Sequence, residues 1–320
     1  MARIEQFWVG DDLSSKVTRL ALTPLSWLYS GGWAVYQLVY KLGLKKPYQS
    51  SIPIVCIGNF VAGGTGKTPV VIHVASVLQS LGFSVVIGCS GYGSPKAESA
   101  TIAPAGDLDP AEWGDEPSEI RMALPELPMV VGRRRVLAAQ LVEKEFPNAV
   151  LLMDDGLQHM PLAKTVSIAL DPPNGNQRTF PAGPYREPRR MGEKRVDVVL
   201  PNQSYSVQFS DLIFEKNGEG VPRPSKSVVL TAIGQPEKFI EGLVKSGVEI
   251  EGSQLEQDHA PLVIRDLKLD SSKSYVVTQK DWVKLRPQSE VNEYDFVVAI
   301  RTATVEPHVP FAEWLKMRLG

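Results

Sequence analysis

A lysine at the end of a glycine-rich turn and two adjacent aspartates behind an apolar run are the residues of this 320-residue chain best suited to chemistry. The turn, GNFVAGGTGKT (58–68), follows the apolar stretch IPIVCI (52–57) and precedes a helical pattern. That is the strand–turn–helix context of a phosphate-binding loop. Glycines let backbone N–H groups approach phosphate oxygens closely. Gly63, Gly64, Thr65, Gly66, Lys67 and Thr68 are therefore the expected nucleotide-binding residues. The Lys67 ammonium would reach the β- and γ-phosphates, and the Thr68 hydroxyl would ligate Mg²⁺. The full pattern G-x-x-x-x-G-K-T asks for glycine at position 61, where this chain has Val61; the shorter core GGTGKT is complete.

The aspartates end the run VLLMDDG (150–156). A carboxylate leaving the carboxyl end of a buried strand beside a phosphate loop holds Mg²⁺ directly or through water. Adjacent buried carboxylates repel unless a cation sits with them, so Asp154 and Asp155 are expected metal residues. Gln158 and His159 follow and are expected in the same cleft. In WGDEP (113–117), Pro117 suits a first helical turn and the acids suit its N-terminus. A capped surface helix explains that segment without a catalytic role for Asp115. The loop from Asn174 to Pro188 carries Arg186 and Glu187 on a rigid Pro/Gly frame. From Arg178 to Arg195 there are six basic and two acidic residues, a patch for a phosphorylated acceptor or a solvated charge run. Asp258-His259 and Thr278-Gln279-Lys280-Asp281 are weaker taken alone, because a lone histidine is more often structural.

Elements that position these residues alternate. Strands are expected at 52–57, 83–87, 128–131, 149–153, 166–170 and 196–200, with helices at 68–81 and 133–146. The pattern predicts an α/β fold, a P-loop NTPase-like, doubly wound, mostly parallel sheet. Residues 201–227 are polar and bear Pro and Gly. Beyond them, strands at 228–230, 275–278 and 296–300 and helices at 236–246 and 311–318 predict a second, smaller α/β domain. The expected division is 1–50 as an N-terminal helical segment, 51–205 as the core, 206–227 as a short β linker and 228–320 as the second domain.

Composition bounds the partners. The net charge of −2 gives no case for nucleic acid. Two cysteines, Cys56 and Cys89, lie in apolar contexts without metal-ligand spacing, which predicts buried thiols in a reducing compartment. From Leu13 to Ser50 there are five basic residues and no acids, and Trp27, Tyr29, Trp33, Tyr36 and Tyr40 fall there. Rings with flanking lysines suit an anionic membrane surface; packing on the protein's own core is the other reading. Pro24 and Gly31-Gly32 are expected to interrupt a single span.

Together these residues resemble the tetraacyldisaccharide 4′-kinase family of lipid A biosynthesis. The carriers are GNFVAGGTGKTP (58–69), SGYG (90–93), GDEP (114–117), LMDDGLQH (152–159), GNQRTFPAGPYREP (175–188), IGQPEKF (233–239), Asp258-His259 and TQKDWVKL (278–285). The resemblance implies transfer of the ATP γ-phosphate to the 4′-hydroxyl of a tetraacyl glucosamine disaccharide 1-phosphate. It implies Asp115 as base paired with His259, Lys67 as a catalytic cation, and Mg²⁺-nucleotide handling by Thr68, Asp154, Asp155 and Glu187. Asn59, Gln158, His159, Arg186 and Arg189 are the expected substrate-side residues, with Arg190 near the acceptor's anionic end. It implies a peripheral protein, expected as a monomer, on the cytoplasmic face of the bacterial inner membrane.

Three positions depart from the family pattern: Ser90 stands where arginine is usual, Gln279 where glutamate is usual and Val61 where threonine is common. The alternatives are a P-loop transferase or ligase with a soluble acceptor, such as a dethiobiotin-synthetase-like enzyme, and a nucleotide-dependent switch. The aromatic, basic N-terminus argues against the first. Acceptor-independent hydrolysis would mark the second.

Overall fold

The computed structural model describes residues 7–8, 10–173 and 175–320; Asn174 lies outside them. Leu13–Lys41 is one helix, α1, capped by the Asp12 side chain, which accepts from the Ser15 N–H. Pro24 and Gly31-Gly32, expected to interrupt it, lie inside it. Their placement is the reason. Pro24 is exposed, on the side away from the protein, where the one backbone hydrogen bond it removes is open to solvent. Gly31 and Gly32 have open space around them. The opposite side is held by tertiary bonds: Ser26 Oγ donates to Thr179 O (2.8 Å) and accepts from Ala182 N (3.0 Å), and Tyr29 OH donates to Arg186 O (2.6 Å). Among the described residues no helix is long and apolar enough to cross a membrane.

The core sheet has the order β3-β4-β2-β5-β1-β6-β7. Its strands are Ile54–Asn59 (β1), Ser84–Cys89 (β2), Thr101–Ile102 (β3), Met129–Val131 (β4), Ala149–Asp154 (β5), Val166–Leu170 (β6) and Val198–Leu200 (β7). All pairs are parallel except β3 with β4. Every residue of β1, β5 and β6 is buried, as continuous apolar strands covered on both faces must be. Helix α2 (Lys67–Ser80) packs Val70, Val71, Val74 and Leu78 on one face, with Ile120 of α3 (Asp115–Ala123) in the same cluster. Helix α4 (Arg135–Glu145) packs Ala138, Ala139 and Val142 on the other. The doubly wound expectation holds.

Strand β8 (Ser206–Phe209) leaves this domain. The second sheet has the order β10-β9-β14-β13-β11-β12, from Ile213–Lys216 (β9), Glu219–Val221 (β10), Lys226–Thr231 (β11), Glu249–Leu255 (β12), Ser274–Thr278 (β13) and Asp295–Ile300 (β14). Helices α5 (Pro236–Lys245) and α6 (Gln279–Leu285) belong to it. Strand β15 (Ala303–Glu306) then returns antiparallel to β8, and α7 (His308–Leu319) packs back on the first domain.

The expected boundaries are corrected accordingly. Hairpin β9–β10, placed in the 206–227 linker, is part of the second sheet. Residues 303–320, placed in the second domain, belong to the linker ribbon and the core. Phe311 and Leu315 are fully buried against the core cluster of α2, and Phe311 stacks on His73 and Trp314.

Phe311→Ala is therefore expected to destabilise the nucleotide-binding domain by about 3–5 kcal/mol. Val309→Ala, on an exposed turn of the same helix, should stay within about 0.5 kcal/mol. Denaturant midpoints of the two variants check this; equal midpoints would place α7 outside the core.

Candidate active site

The phosphate loop begins where β1 ends. Asn59 Nδ2 donates to Thr65 Oγ1 (3.0 Å) and braces the turn from within. Val61, standing where the longer pattern has glycine, is buried and bridged to Tyr185, so the chain passes there as a strand and needs no glycine. Gly66 caps α2 at φ +74°, and a Cβ there would meet the Phe209 ring at 2.6 Å. Backbone conformation and the linker strand both demand glycine at this position.

Register delivers the acids. Asp154 pairs with Ile57 across β5 and β1, one turn of chain from the loop. Lys67 Nζ lies 3.2 Å from Asp154 Oδ1 and 3.5 Å from Asp155 Oδ2. Burial disfavours the ammonium, but the two carboxylates outweigh it and the Lys67 pKa is raised. Burial pushes Asp154 up to about 6 against the pull of Lys67. Asp155 is also desolvated, yet Lys67 and Arg186 hold it down to about 2. Arg186 Nη1 is 2.9 Å from both Asp155 oxygens. Beyond Lys67, neither buried oxygen of Asp154 has a hydrogen-bond partner.

A carboxylate without a hydrogen-bond partner at a strand end, 3.2 Å from the lysine that precedes Thr68, fits a divalent cation. Among the described residues no group of three or more His, Cys, Asp or Glu side chains forms a metal cage. An ion there would complete its shell from phosphate oxygens and water.

Arginine 135 was not anticipated by sequence reasoning. It is buried at the start of α4, and its Nη2 donates to the carbonyls of Asp154 (2.7 Å) and Asp155 (2.6 Å). The signal was present: Arg135 shares a helical face with Ala138, Ala139 and Val142, so periodicity places one of three consecutive arginines inside.

The other half of the site comes from the GDEP segment and the second domain. Gly114 takes φ +93° against the Tyr92 carbonyl, and Asp115 opens α3. His259, itself at φ +62°, brings Nδ1 to 3.0 Å from Asp115 Oδ2. Lys284 Nζ is 2.9 Å from the same oxygen. Burial raises the Asp115 pKa, but hydrogen bonds from His259 and Lys284 and the charges of Lys284 and Lys280 bring it below the usual carboxylate value. Glu119, one turn further along α3, is pushed by burial up to about 8 despite Lys280.

A cleft of about 450 Å³ joins the halves. Asn59, Lys67, Thr68 and Arg186 line it from one domain and Gln235, His259 and Lys280 from the other. Not every expected residue reaches it. Glu187 is fully buried, paired with Arg195 and accepting from Gln158 Nε2 (3.0 Å); Gln158 also donates to Asn59 O (3.0 Å). Both residues therefore stand behind the loop instead of in the cleft. Arg189 is committed to Asp171 and Glu193. His159 is half-buried, its pKa depressed by burial and Lys164 to about 4.

A phosphate loop and a carboxylate–histidine pair at one interdomain cleft place the protein among the P-loop phosphotransferases. Comparison with known proteins narrows this. The family described as Tetraacyldisaccharide-1-P 4′-kinase matches residues 18–319. Tetraacyldisaccharide 4′-kinases of Shewanella halifaxensis and Shewanella pealeana are each 33% identical, over 86% and 92% of this chain and 87% and 93% of theirs. That of Aromatoleum aromaticum is 31% identical over 93% of both. A crystal structure of LpxK from Aquifex aeolicus in complex with ATP shares the fold, with a TM-score of 0.81 at 22% identity, covering 95% of this chain and 100% of that one. The chain belongs to the tetraacyldisaccharide-1-P 4′-kinase family.

Gly66→Ala is expected to lower nucleotide affinity about tenfold, because a left-handed non-glycine residue costs about 1–2 kcal/mol and the added methyl meets Phe209. Calorimetric titration with ATP checks it; an unchanged Kd would mean the turn relaxes freely.

Proposed function

We propose that this protein is an ATP-dependent kinase that phosphorylates the 4′-hydroxyl of a tetraacyl glucosamine disaccharide 1-phosphate. The observation that carries the proposal is the Asp115–His259 pair, assembled from two domains, with His259 lining the same cleft as Lys67.

Phosphoryl transfer needs position and charge neutralisation more than covalent help. Backbone N–H groups of Gly63–Lys67 cradle the phosphates, and Lys67 exchanges its carboxylate contacts for the β- and γ-phosphate oxygens. Mg²⁺, held by Asp154 and Thr68 with Asp155 alongside, supplies further charge neutralisation when bound. Arg186 bridges Asp155 and the phosphate end. Asp115 accepts the sugar hydroxyl proton on its free oxygen as the new P–O bond forms, and His259 keeps the carboxylate oriented. Glu187 acts at one remove, bracing Gln158 and through it the chain of Asn59. Arg190, exposed beside this patch, is free for the acceptor's 1-phosphate, whereas Arg189 is held in place by its own ion pairs.

The lipid acceptor gives α1 its purpose. Its hydroxyl-bearing side docks on the 178–186 loop, while Leu13, Val17, Leu20, Trp27, Leu28, Val35, Leu38 and Leu42 stand exposed along the other side. At helical spacing these form one stripe. A helix that hides serine and shows leucine is built to lie on acyl chains. Lys16, Lys41, Lys45 and Lys46 nearby support our reading of a peripheral protein on an anionic leaflet, the cytoplasmic face of the inner membrane.

Three outcomes are expected. In detergent micelles with Mg²⁺-ATP and tetraacyl disaccharide 1-phosphate, mass spectrometry should find the bisphosphorylated lipid, absent with Lys67→Ala. Hydrolysis without lipid product would instead favour a nucleotide switch. Asp115→Ala should lower kcat by about 10²–10⁴-fold with a smaller change in the KM for ATP; near-normal kcat overturns the base assignment. Trp27→Glu with Leu28→Glu, at positions 71% and 74% exposed, should cut sedimentation with anionic liposomes about tenfold or more. Undiminished sedimentation would remove α1 as the contact.

A further inference from the structure

Two lysines of α6 surround the catalytic pair, and no step above uses them. Lys284 is almost fully buried. Its ammonium is 2.9 Å from Asp115 Oδ2 and donates to the carbonyl of Ala260 (3.2 Å), the residue after His259. Lys280 Nζ is 3.3 Å from His259 Nε2 and 3.4 Å from Asp258 Oδ1. Helix α6 is itself pinned: Thr278 caps it, and the buried Asp281 accepts from Thr231 Oγ1, Thr278 Oγ1 and the Ala232 N–H. The lysines, one turn apart, are thus presented from a fixed support.

Hydrogen-bond bookkeeping follows from these positions. A carboxylate only accepts, so His259 Nδ1 must carry a proton toward Asp115. An ammonium only donates, so His259 Nε2 must offer its lone pair to Lys280. A second ring proton would set two cations 3.3 Å apart. Asp258, the group that would favour such a proton, is half-exposed, 3.9 Å from Nε2 and already paired with Lys280. The remaining groups facing the pair are Glu116 and Glu119 on α3, and the Tyr92 ring 5.9 Å from the imidazole. On Asp115, both donors use Oδ2. Oδ1 has no hydrogen-bond or ion-pair partner among the described residues.

We propose that Lys284 and Lys280 are positioning residues for the base: Lys284 fixes which oxygen of Asp115 is free, and Lys280 fixes which nitrogen of His259 carries the proton. Lys284 also ties the Asp258-His259 loop to Asp115, since one ammonium holds both the base and the loop's backbone. The device rests on Asp115 being the base. It adds that the pair works as a carboxylate with a neutral imidazole, the positive charge lying on lysine.

The pH profile of kcat/KM tests Lys284. A base held below its ordinary value stays active to lower pH, so removing the cation raises it and moves the acid limb to higher pH. Lys284→Met should shift that limb upward by about one unit or more, with kcat recovering as pH rises and the KM for ATP little changed. Lys284→Arg, which keeps the charge, should leave the limb in place. An acid limb in Lys284→Met that superimposes on the wild type after scaling overturns the role of Lys284.

Nitrogen-15 NMR of the histidine rings, four in this chain, tests Lys280 independently of turnover. Wild-type His259 should show protonated Nδ1 and unprotonated Nε2, and Lys280→Met should move Nε2 toward the protonated range. Protonated Nε2 in the wild type at neutral pH overturns the role of Lys280. Asp115→Asn separates the two levels. If it retains turnover, the base assignment fails; if it is inactive while Lys284→Met shows no shift, only the positioning role fails.

Discussion

Asp115 belongs to one domain and both of its hydrogen-bond partners to the other, and the site depends on that division. A desolvated carboxylate is costly unless donors replace water. Here the donors are His259 and Lys284, carried by a loop and a helix of the second domain. The carboxylate is therefore satisfied only where the two domains meet.

At the phosphate end the balance is local. Lys67, Arg186 and Arg135 offset Asp154 and Asp155, and each acts at a different point. Lys67 meets the carboxylates from the loop, Arg186 clamps one of them from the Pro/Gly segment, and Arg135 holds their backbone from beneath. Of the two aspartates, Asp154 keeps buried oxygens with no hydrogen-bond partner beyond the Lys67 ion pair. Such a group persists in a folded chain when a ligand satisfies it. The Pro/Gly segment also anchors α1, so the loop that holds this exposed apolar helix also carries the residue that grips Asp155.

The core strands and the phosphate loop were legible because their signals are local. Continuous apolar runs mark β1, β5 and β6, and glycine before lysine at a strand end marks the turn. Strand β12, with the sequence EIEGSQL, was missed: it is an edge strand, half-exposed and polar at alternate positions. The reach of α7 back to the core was missed because a short amphipathic helix does not say which domain it covers. Pro24 misled because the rule against helix-interior proline presumes that nothing else holds the helix. In the site, the motifs named Asp154, Asp155, Asp115 and His259. They could not show that Glu187 faces Arg195, that Arg189 is committed to Asp171, or that Lys284 completes the base. Those facts depend on which neighbours arrive from distant segments.

The ribbon of β8 and β15 has a further meaning. Chain leaves the core at Phe209 and comes back at Ala303, and these two residues are paired neighbours. The second domain is thus a cassette spliced into a nucleotide-binding unit, with entrance and exit side by side. The core closes its own hydrophobic interior with the final helix, whatever the cassette contains. A lineage can therefore remodel or exchange the inserted domain without reopening the fold that holds the nucleotide.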